Sequence, residues 1–126
     1  MSSAGQLFSM PPSADAIRLR HMLEAAQSAI AFAAGRSRAD LDSDPMLVHA
    51  VVNVVQIVGE AATQVSVETR QALPDVRWAD IVGMRHRLIH AYHEVDLNIV
   101  WDTVEIDLPP LIALLEAWLK AEGTSA

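Results

Sequence analysis

The stretch that decides the fold is residues 46–65, MLVHAVVNVVQIVGEAATQV. Its valines and isoleucine are β-branched and locally favour a strand. Its polar residues nevertheless recur at intervals of four, three, four and three: His49, Asn53, Gln56, Glu60 and Thr63. This spacing draws one polar stripe along an apolar helix, whereas a strand of this length would be unusual. The stretch is therefore predicted to be a helix that is buried on several sides.

Capping patterns indicate where two helices begin: the helix before this stretch and the helix that contains it. Residues 11–13 (PPS) stand before apolar residues at helical spacing, and Gly35 supplies a stop. After a polar connection over residues 36–43, residues 43–45 (SDP) place a capping acid before a proline at the first helical position. Two helices are thus predicted, from residue 13 to about 34 and from residue 45 to about 65.

The second half of the chain predicts further helices. Residues 66–76 indicate a short turn or broken helix, and a third long helix is expected from Trp78, with Ile81, Met84, Leu88 and Ala91 on its inner face. The final helix keeps one apolar phase through Pro109-Pro110, which should bend it or split it into collinear pieces. The whole pattern predicts an all-α fold, a compact up-and-down bundle of four to five helices with its last helix bent at Pro109-Pro110.

Length and composition bound the class of protein. The chain has 126 residues, enough for one domain, which we expect over residues 13–122 between a flexible leader (1–12) and a short tail (123–126). The leader lacks the features of a signal peptide, and polar residues are expected to interrupt every apolar run short of a membrane span. The absence of cysteine excludes disulfides and thiolate metal sites and fits a cytoplasmic location.

The net charge of −7 argues against electrostatic wrapping of nucleic acid. The distribution of charge is uneven. Residues 94–126 contain seven acids and one lysine, while the segment just before them, residues 70–87, contains four arginines: Arg70, Arg77, Arg85 and Arg87. A local positive patch facing an acidic segment predicts a cleft, although a solvated charged face explains Arg70 and Arg77 equally well.

Residues 84–93, MRHRLIHAYH, concentrate the groups that could carry chemistry. They include three of the five histidines and the only tyrosine, beside Arg85 and Arg87. Arginine suits phosphate, and histidine can take and give a proton near neutral pH. Metal-free cleavage of RNA needs a base, an acid and a cation, and one His90 cannot easily serve as both base and acid. On a continuous helix Arg85 and His90 would lie about 140° apart, which favours a site completed by a second copy of the chain.

Other assignments of the same residues are open. His86 and His90 are four residues apart and His93 lies three further on, a spacing that can hold zinc, although no nearby carboxylate is placed as a further ligand. Tyr92 and His93 could instead make ordinary contacts at a helix end. Glu60, in the polar stripe of the second helix, is a candidate for the cleft.

The motif and its surroundings resemble the HepT-like family of HEPN domains (higher eukaryote and prokaryote nucleotide-binding). The resemblance rests on Arg-x4-His-x-Tyr at residues 85–92, on the flanks WADIVGM (78–84) and EVDL (94–97), on DLP (107–109) and on GEAA (59–62). It covers residues 16–119.

The family resemblance implies a HEPN-like helical domain that forms a homodimer and acts as a metal-independent endoribonuclease without a cofactor. Such proteins are toxins of type II or type VII toxin–antitoxin pairs, with RNA as substrate and a nucleotidyltransferase antitoxin as partner. The implied catalytic pair is Arg85 and His90, and Tyr92 is the implied acceptor of AMP, with support in the cleft from His86, Arg87 and Glu60. His86 departs from the family, which usually has Asn there. The alternative is a non-catalytic substrate- or nucleotide-binding subunit of a minimal nucleotidyltransferase.

Overall fold

The computed structural model describes residues 13–89 and 94–122, and in these ranges the chain is helical. No β-strand occurs in them, and the only extended pairing they contain is an isolated antiparallel bridge between Ile89 and Val95. The predicted all-α class is therefore confirmed. The elements, in chain order, are α1 (Ala14–Ala33), α2 (Asp40–Ser43), α3 (Pro45–Thr63), α4 (Val67–Ala72), α5 (Trp78–Val82), α6 (Met84–Leu88), α7 (Leu97–Asp102), a π-helical segment (Thr103–Asp107) and α8 (Leu108–Ala121).

The core lies where α1 packs against α3 and α8. Large side chains from these helices are almost completely buried, among them Leu19, Met22, Val55 and Leu115. The predicted caps are present: the Ser13 side chain accepts a hydrogen bond from the backbone N–H of Ala16 at 3.0 Å, and Asp44 accepts one from Leu47 at 3.1 Å. The first two long helices thus begin where the sequence predicted.

The prediction that residues 46–65 form a helix is confirmed by α3. Its valines turn inward, whereas His49, Asn53 and Glu60 of the polar stripe are exposed. By length and composition alone α3 could cross a membrane, because the polar residues that interrupt it are almost all uncharged and its mean hydropathy is 1.4. Polar residues interrupt this apolar run as expected, but the interruptions do not exclude α3 by length and composition. One such helix is weak evidence for a membrane, since the buried core helix of a soluble protein can have the same length and composition.

The third long helix differs from the prediction. It is divided by Gly83 into α5 and α6, and it ends at Leu88, because Ile89 is extended (φ −118°, ψ 115°) and forms the bridge with Val95. The backbone N–H of Asp96 also donates to the Leu88 carbonyl at 2.8 Å. Ile81, Met84 and Leu88 are buried as predicted, while Ala91 lies outside the described residues.

The final helix is interrupted just before its two prolines. Pro109 and Pro110 have no N–H to donate, so the carbonyls of Glu105 and Ile106 lose their α-helical partners. The chain takes a π-helical form over these residues and resumes as α8. The apolar phase survives the interruption, since Val100, Val104, Leu108, Leu111 and Leu115 are all buried. Both halves of the helix therefore cover the same core, as predicted.

Candidate functional site

The short helix α6 carries the first half of the Arg-x4-His-x-Tyr motif. Met84 and Leu88, four residues apart, are 1% and 0% exposed and fix one face of α6 in the core. Arg85, His86 and Arg87 lie between them and are all exposed to solvent. Burial of the two apolar residues therefore presents three basic side chains together on the surface.

Gly59 allows α5, which leads into α6, to lie close to α3. A Cβ atom at residue 59 would be 2.9 Å from the carbonyl oxygen of Ile81 and 3.5 Å from the Cβ of Met84. An approach this short to a backbone oxygen would force α3 and α5 apart, so the observed packing depends on glycine at this position. The residues GEAA thus contribute through Gly59 to the placement of the motif, a role that sequence reasoning missed.

The two arginines of α6 differ in their surroundings. Arg85 makes no hydrogen bond or ion pair with any residue in the described ranges. Arg87 forms an ion pair with Asp107, the last residue of the π-helical segment, with 3.7 Å between the guanidinium nitrogen and the carboxylate oxygen. Of the two arginines of α6, Arg85 is therefore the one whose charge is not offset by a residue in the described ranges.

A cleft of about 350 Å³ lies beside α6, between α5 and the junction of the π-helical segment with α8. Its floor is apolar and includes Met84 and Leu111. Its charged lining consists of Asp75, Arg77, Asp80, Arg87 and Asp107. One contact between the basic segment and the acidic C-terminal part of the chain is found here, between Arg87 and Asp107. The predicted positive patch is not found in this cleft, because its described lining has three aspartates and two arginines and includes neither Arg70 nor Arg85.

Glu60 lies elsewhere on this single chain. It lines a second depression, of about 380 Å³, with Arg18 and His21 of α1, and neither Arg85 nor His86 belongs to that lining. Its support of the motif's cleft remains a prediction.

His90, Tyr92 and His93 lie outside the described residues. The geometry of the proposed Arg85–His90 pair and of the His86, His90 and His93 zinc hypothesis is therefore not tested. The separation of about 140° around a helix no longer applies to Arg85 and His90, because α6 ends at Leu88. No cluster of three or more metal-ligating side chains occurs among the residues described.

The other two arginines of the predicted basic patch are engaged with their neighbours. Arg70 donates hydrogen bonds to the carbonyls of Ala62 at 2.8 Å and Val65 at 3.2 Å, and its guanidinium lies 5.5 Å from the centroid of the Trp78 ring. Arg77 pairs with Asp80 at 3.1 Å. Arg70 therefore closes the C-terminal end of α3, which gives it a structural role.

An unforeseen polar cluster joins the start of α1 to α4. Asp15 accepts hydrogen bonds from the hydroxyls of Ser66 at 2.5 Å and Thr69 at 2.6 Å, and from the backbone N–H of Ser66 at 2.9 Å. The Ser66 hydroxyl is the largest cause, followed by Thr69, of the lowering of the Asp15 pKa below its ordinary value. These bonds fix α4, and with it the entry to α5 and α6.

Together, these features define an all-helical domain that presents an Arg- and His-rich surface segment suited to phosphate. Comparison with known proteins assigns it more closely: residues 22–118 match the family described as ribonuclease HepT-like, and the chain belongs to this family.

Two relatives illustrate this similarity. The protein named "Putative RNase TTE0752", from Caldanaerobacter subterraneus subsp. tengcongensis, is 35% identical over 104 residues, which cover 82% of this chain and 93% of the relative. The protein named "Probable ribonuclease HepT", from Thermococcus cleftensis, is 33% identical over 81 residues, which cover 64% of this chain and 74% of the relative. No solved structure matches significantly.

Proposed function

We propose that this chain is a metal-independent endoribonuclease and the toxin of a toxin–antitoxin pair. The observation that supports this most directly is Arg85, which is exposed on α6, has no partner among the described residues and is the arginine of the Arg-x4-His-x-Tyr pattern. The names of the relatives agree with a ribonuclease. The fixed positive charge of Arg85 can neutralise charge on a phosphate without a metal ion.

The reaction assigns one role to each motif residue. A neutral His90 takes the proton of the 2′-hydroxyl, the 2′-oxygen attacks phosphorus, and the bond to the 5′-oxygen breaks. A protonated His90 from a second copy of the chain gives its proton to the departing 5′-oxygen, which leaves a cyclic phosphate. Arg85 stabilises the charge on the phosphorane. A homodimer with a two-fold axis would supply both histidines at one site.

Regulation is proposed to act through Tyr92. A nucleotidyltransferase antitoxin would transfer AMP to its hydroxyl and so place a negative charge two residues beyond His90 in the sequence. Both proteins would act in the cytoplasm.

The activity is tested by His90→Ala and Arg85→Ala, expressed without the antitoxin. Each should abolish growth arrest and cleavage of RNA in vitro while helical content and dimer mass stay unchanged. His49→Ala, which removes an exposed histidine of α3, is the control and should remain toxic. A His90→Ala protein that is unfolded or monomeric would show that His90 belongs to the core. A wild-type chain that neither arrests growth nor cleaves RNA would instead favour a non-catalytic subunit of a nucleotidyltransferase.

Metal independence is tested separately with a chelator. Cleavage should be the same with and without EDTA, because Arg85 would supply the charge that a metal otherwise provides. Loss of cleavage with EDTA and recovery with zinc would support the site at His86, His90 and His93 instead.

A further inference from the structure

The ion pair between Arg87 and Asp107 connects the motif segment to the last helix. Its shortest distance is 3.7 Å, and no hydrogen bond joins the two side chains. The side chains are 41% and 36% exposed. An exposed pair without a directional hydrogen bond fixes orientation poorly and contributes little to stability. Its main physical effect is that the carboxylate reduces the positive potential at Arg87.

The position of Asp107 directs its charge toward α6. Asp107 follows the buried residue Val104 by three positions and precedes the buried residue Leu111 by four, so it stands within the apolar phase of the last helix. It lines the cleft together with Arg87. Glu105, by contrast, is exposed in the same π-helical segment, does not line this cleft and forms no ion pair with a described residue.

The other charged residues of the cleft also lower its positive potential. Asp75 and Asp80 also line it, and Arg77 is already paired with Asp80. In the described lining, three aspartates therefore face two arginines. Of the two arginines of α6, Arg85 has no partner among the described residues and does not line this cleft, whereas Arg87 lies in the lining beside Asp107, which reduces its positive potential.

We propose that Asp107 masks Arg87 and thereby limits the affinity of the RNA site for phosphate. This inference rests on the proposed ribonuclease function. Each phosphate that a protein neutralises releases condensed counterions, so unmasking Arg87 would let each chain neutralise one more phosphate and would make binding more dependent on salt. Asp107 would thus determine how strongly, and how selectively, RNA is held, without a direct part in the bond-breaking step.

The test compares the wild-type protein with Asp107→Asn, which keeps the shape of the side chain and removes its charge. Binding to an uncleavable 2′-O-methyl RNA oligonucleotide is measured by fluorescence anisotropy between about 50 and about 200 mM KCl. We expect several-fold tighter binding at the lower concentration and a slope of log K against log salt steeper by about 0.7 for each additional phosphate that is neutralised. On cleavable RNA, KM should fall while kcat changes less than about twofold.

Two further variants separate the effect of the Arg87–Asp107 pair on RNA binding from the effect of the protein's net charge. Glu105→Gln removes the same charge two residues away and should leave the salt slope unchanged. Arg87→Gln combined with Asp107→Asn should return both the affinity and the slope to the wild-type values. Circular dichroism of each variant checks that the fold is intact.

The masking role would be overturned if Glu105→Gln strengthened binding as much as Asp107→Asn, since net charge alone would then explain the effect. It would also be overturned if Asp107→Asn lowered affinity and kcat together, as expected for a residue that positions Arg87. If wild-type protein binds and cleaves RNA but the slope of Asp107→Asn is unchanged, only the masking role fails. If no variant binds or cleaves RNA, the ribonuclease proposal fails as well.

Discussion

Gly59 of α3 approaches the backbone of Ile81 so closely that a Cβ atom at residue 59 would lie 2.9 Å from the Ile81 carbonyl oxygen. Because that oxygen belongs to the main chain, it cannot move aside as a flexible side chain could. Gly59→Ala should therefore lower the free energy of unfolding by about 1–3 kcal/mol, the usual cost of overpacking. It should also displace α5 and α6 and weaken RNA binding. Urea unfolding and anisotropy measure the two effects.

Gly35→Ala is the control for the loss of a glycine. Gly35 has open space around it but a φ of +74°, so alanine there costs about 1–2 kcal/mol through backbone strain. RNA affinity should not change, because Gly35 is far in sequence from the motif and does not line the cleft. A Gly59→Ala protein as stable as wild type would contradict the close approach of α3 and α5.

Asp15 provides a prediction about pH. Hydrogen bonds from Ser66 and Thr69 lower its pKa in the folded protein. A carboxylate whose pKa is lower in the folded protein stabilises the fold fully at pH values above its ordinary, unfolded-state pKa. This stabilisation is lost as the pH falls through the lower, folded-state pKa. Asp15→Asn should cost about 1 kcal/mol near neutral pH. The difference from wild type should shrink as the pH falls below about 4.

Thermal unfolding of both proteins between about pH 7 and about pH 2.5 measures this dependence. Asp75→Asn is the matched control, because Asp75 is exposed and makes no hydrogen bond or ion pair in the part of the chain that the structure describes. A difference between Asp15→Asn and wild type that stays constant over this range would contradict the role of the charged form.

Substitution of Arg70 and of Arg77 should have different effects on stability, although the sequence analysis placed both residues in one basic patch. Arg70→Ala removes two hydrogen bonds to the end of α3 and the contact with Trp78, so it should cost about 1–2 kcal/mol. Arg77 is 81% exposed in its pair with Asp80, and Arg77→Ala should change stability by less than about 0.5 kcal/mol. Equal unfolding midpoints in urea would contradict the capping role of Arg70.

The helices that could be predicted were those specified by local patterns. The caps at Ser13 and Asp44 and the polar stripe of α3 depend only on nearby residues. From them the two long helices α1 and α3 were predicted correctly. The end of α6 depends on the bridge between Ile89 and Val95, a contact between separate segments that helical spacing does not show. The prolines predicted a break in the last helix, but the apolar spacing did not show that residues Thr103–Asp107 would take a π-helical form while the apolar phase stays buried.

The candidate site was predictable in its residue types and less so in its arrangement. Arg85 is exposed on α6, as a site residue should be. The pairing of Arg87 with Asp107 brings together residues twenty positions apart and could not be inferred from either segment alone. Glu60 shares the polar stripe of α3, yet the fold places it beside Arg18 and His21.

The proposed regulation rests on Tyr92, the only tyrosine in the chain. If a nucleotidyltransferase transfers AMP to this protein, the adduct should appear on the peptide that contains Tyr92. Phenylalanine at this position keeps the ring and removes the acceptor oxygen. Tyr92→Phe should therefore fold normally and show no added mass after incubation with the antitoxin and ATP, as measured by intact-mass spectrometry.

The same variant separates modification from simple occlusion by the antitoxin. Each AMP carries a negative charge, and in the proposed mechanism it would enter the region where Arg85 meets the RNA phosphate and would inhibit by charge and by bulk. Tyr92→Phe should consequently remain toxic when the antitoxin is co-expressed, provided that it is toxic alone. An adduct that persists on the Phe variant would exclude Tyr92 as the acceptor. A Phe variant that is still fully neutralised, without added mass, would mean that the antitoxin acts by covering the site.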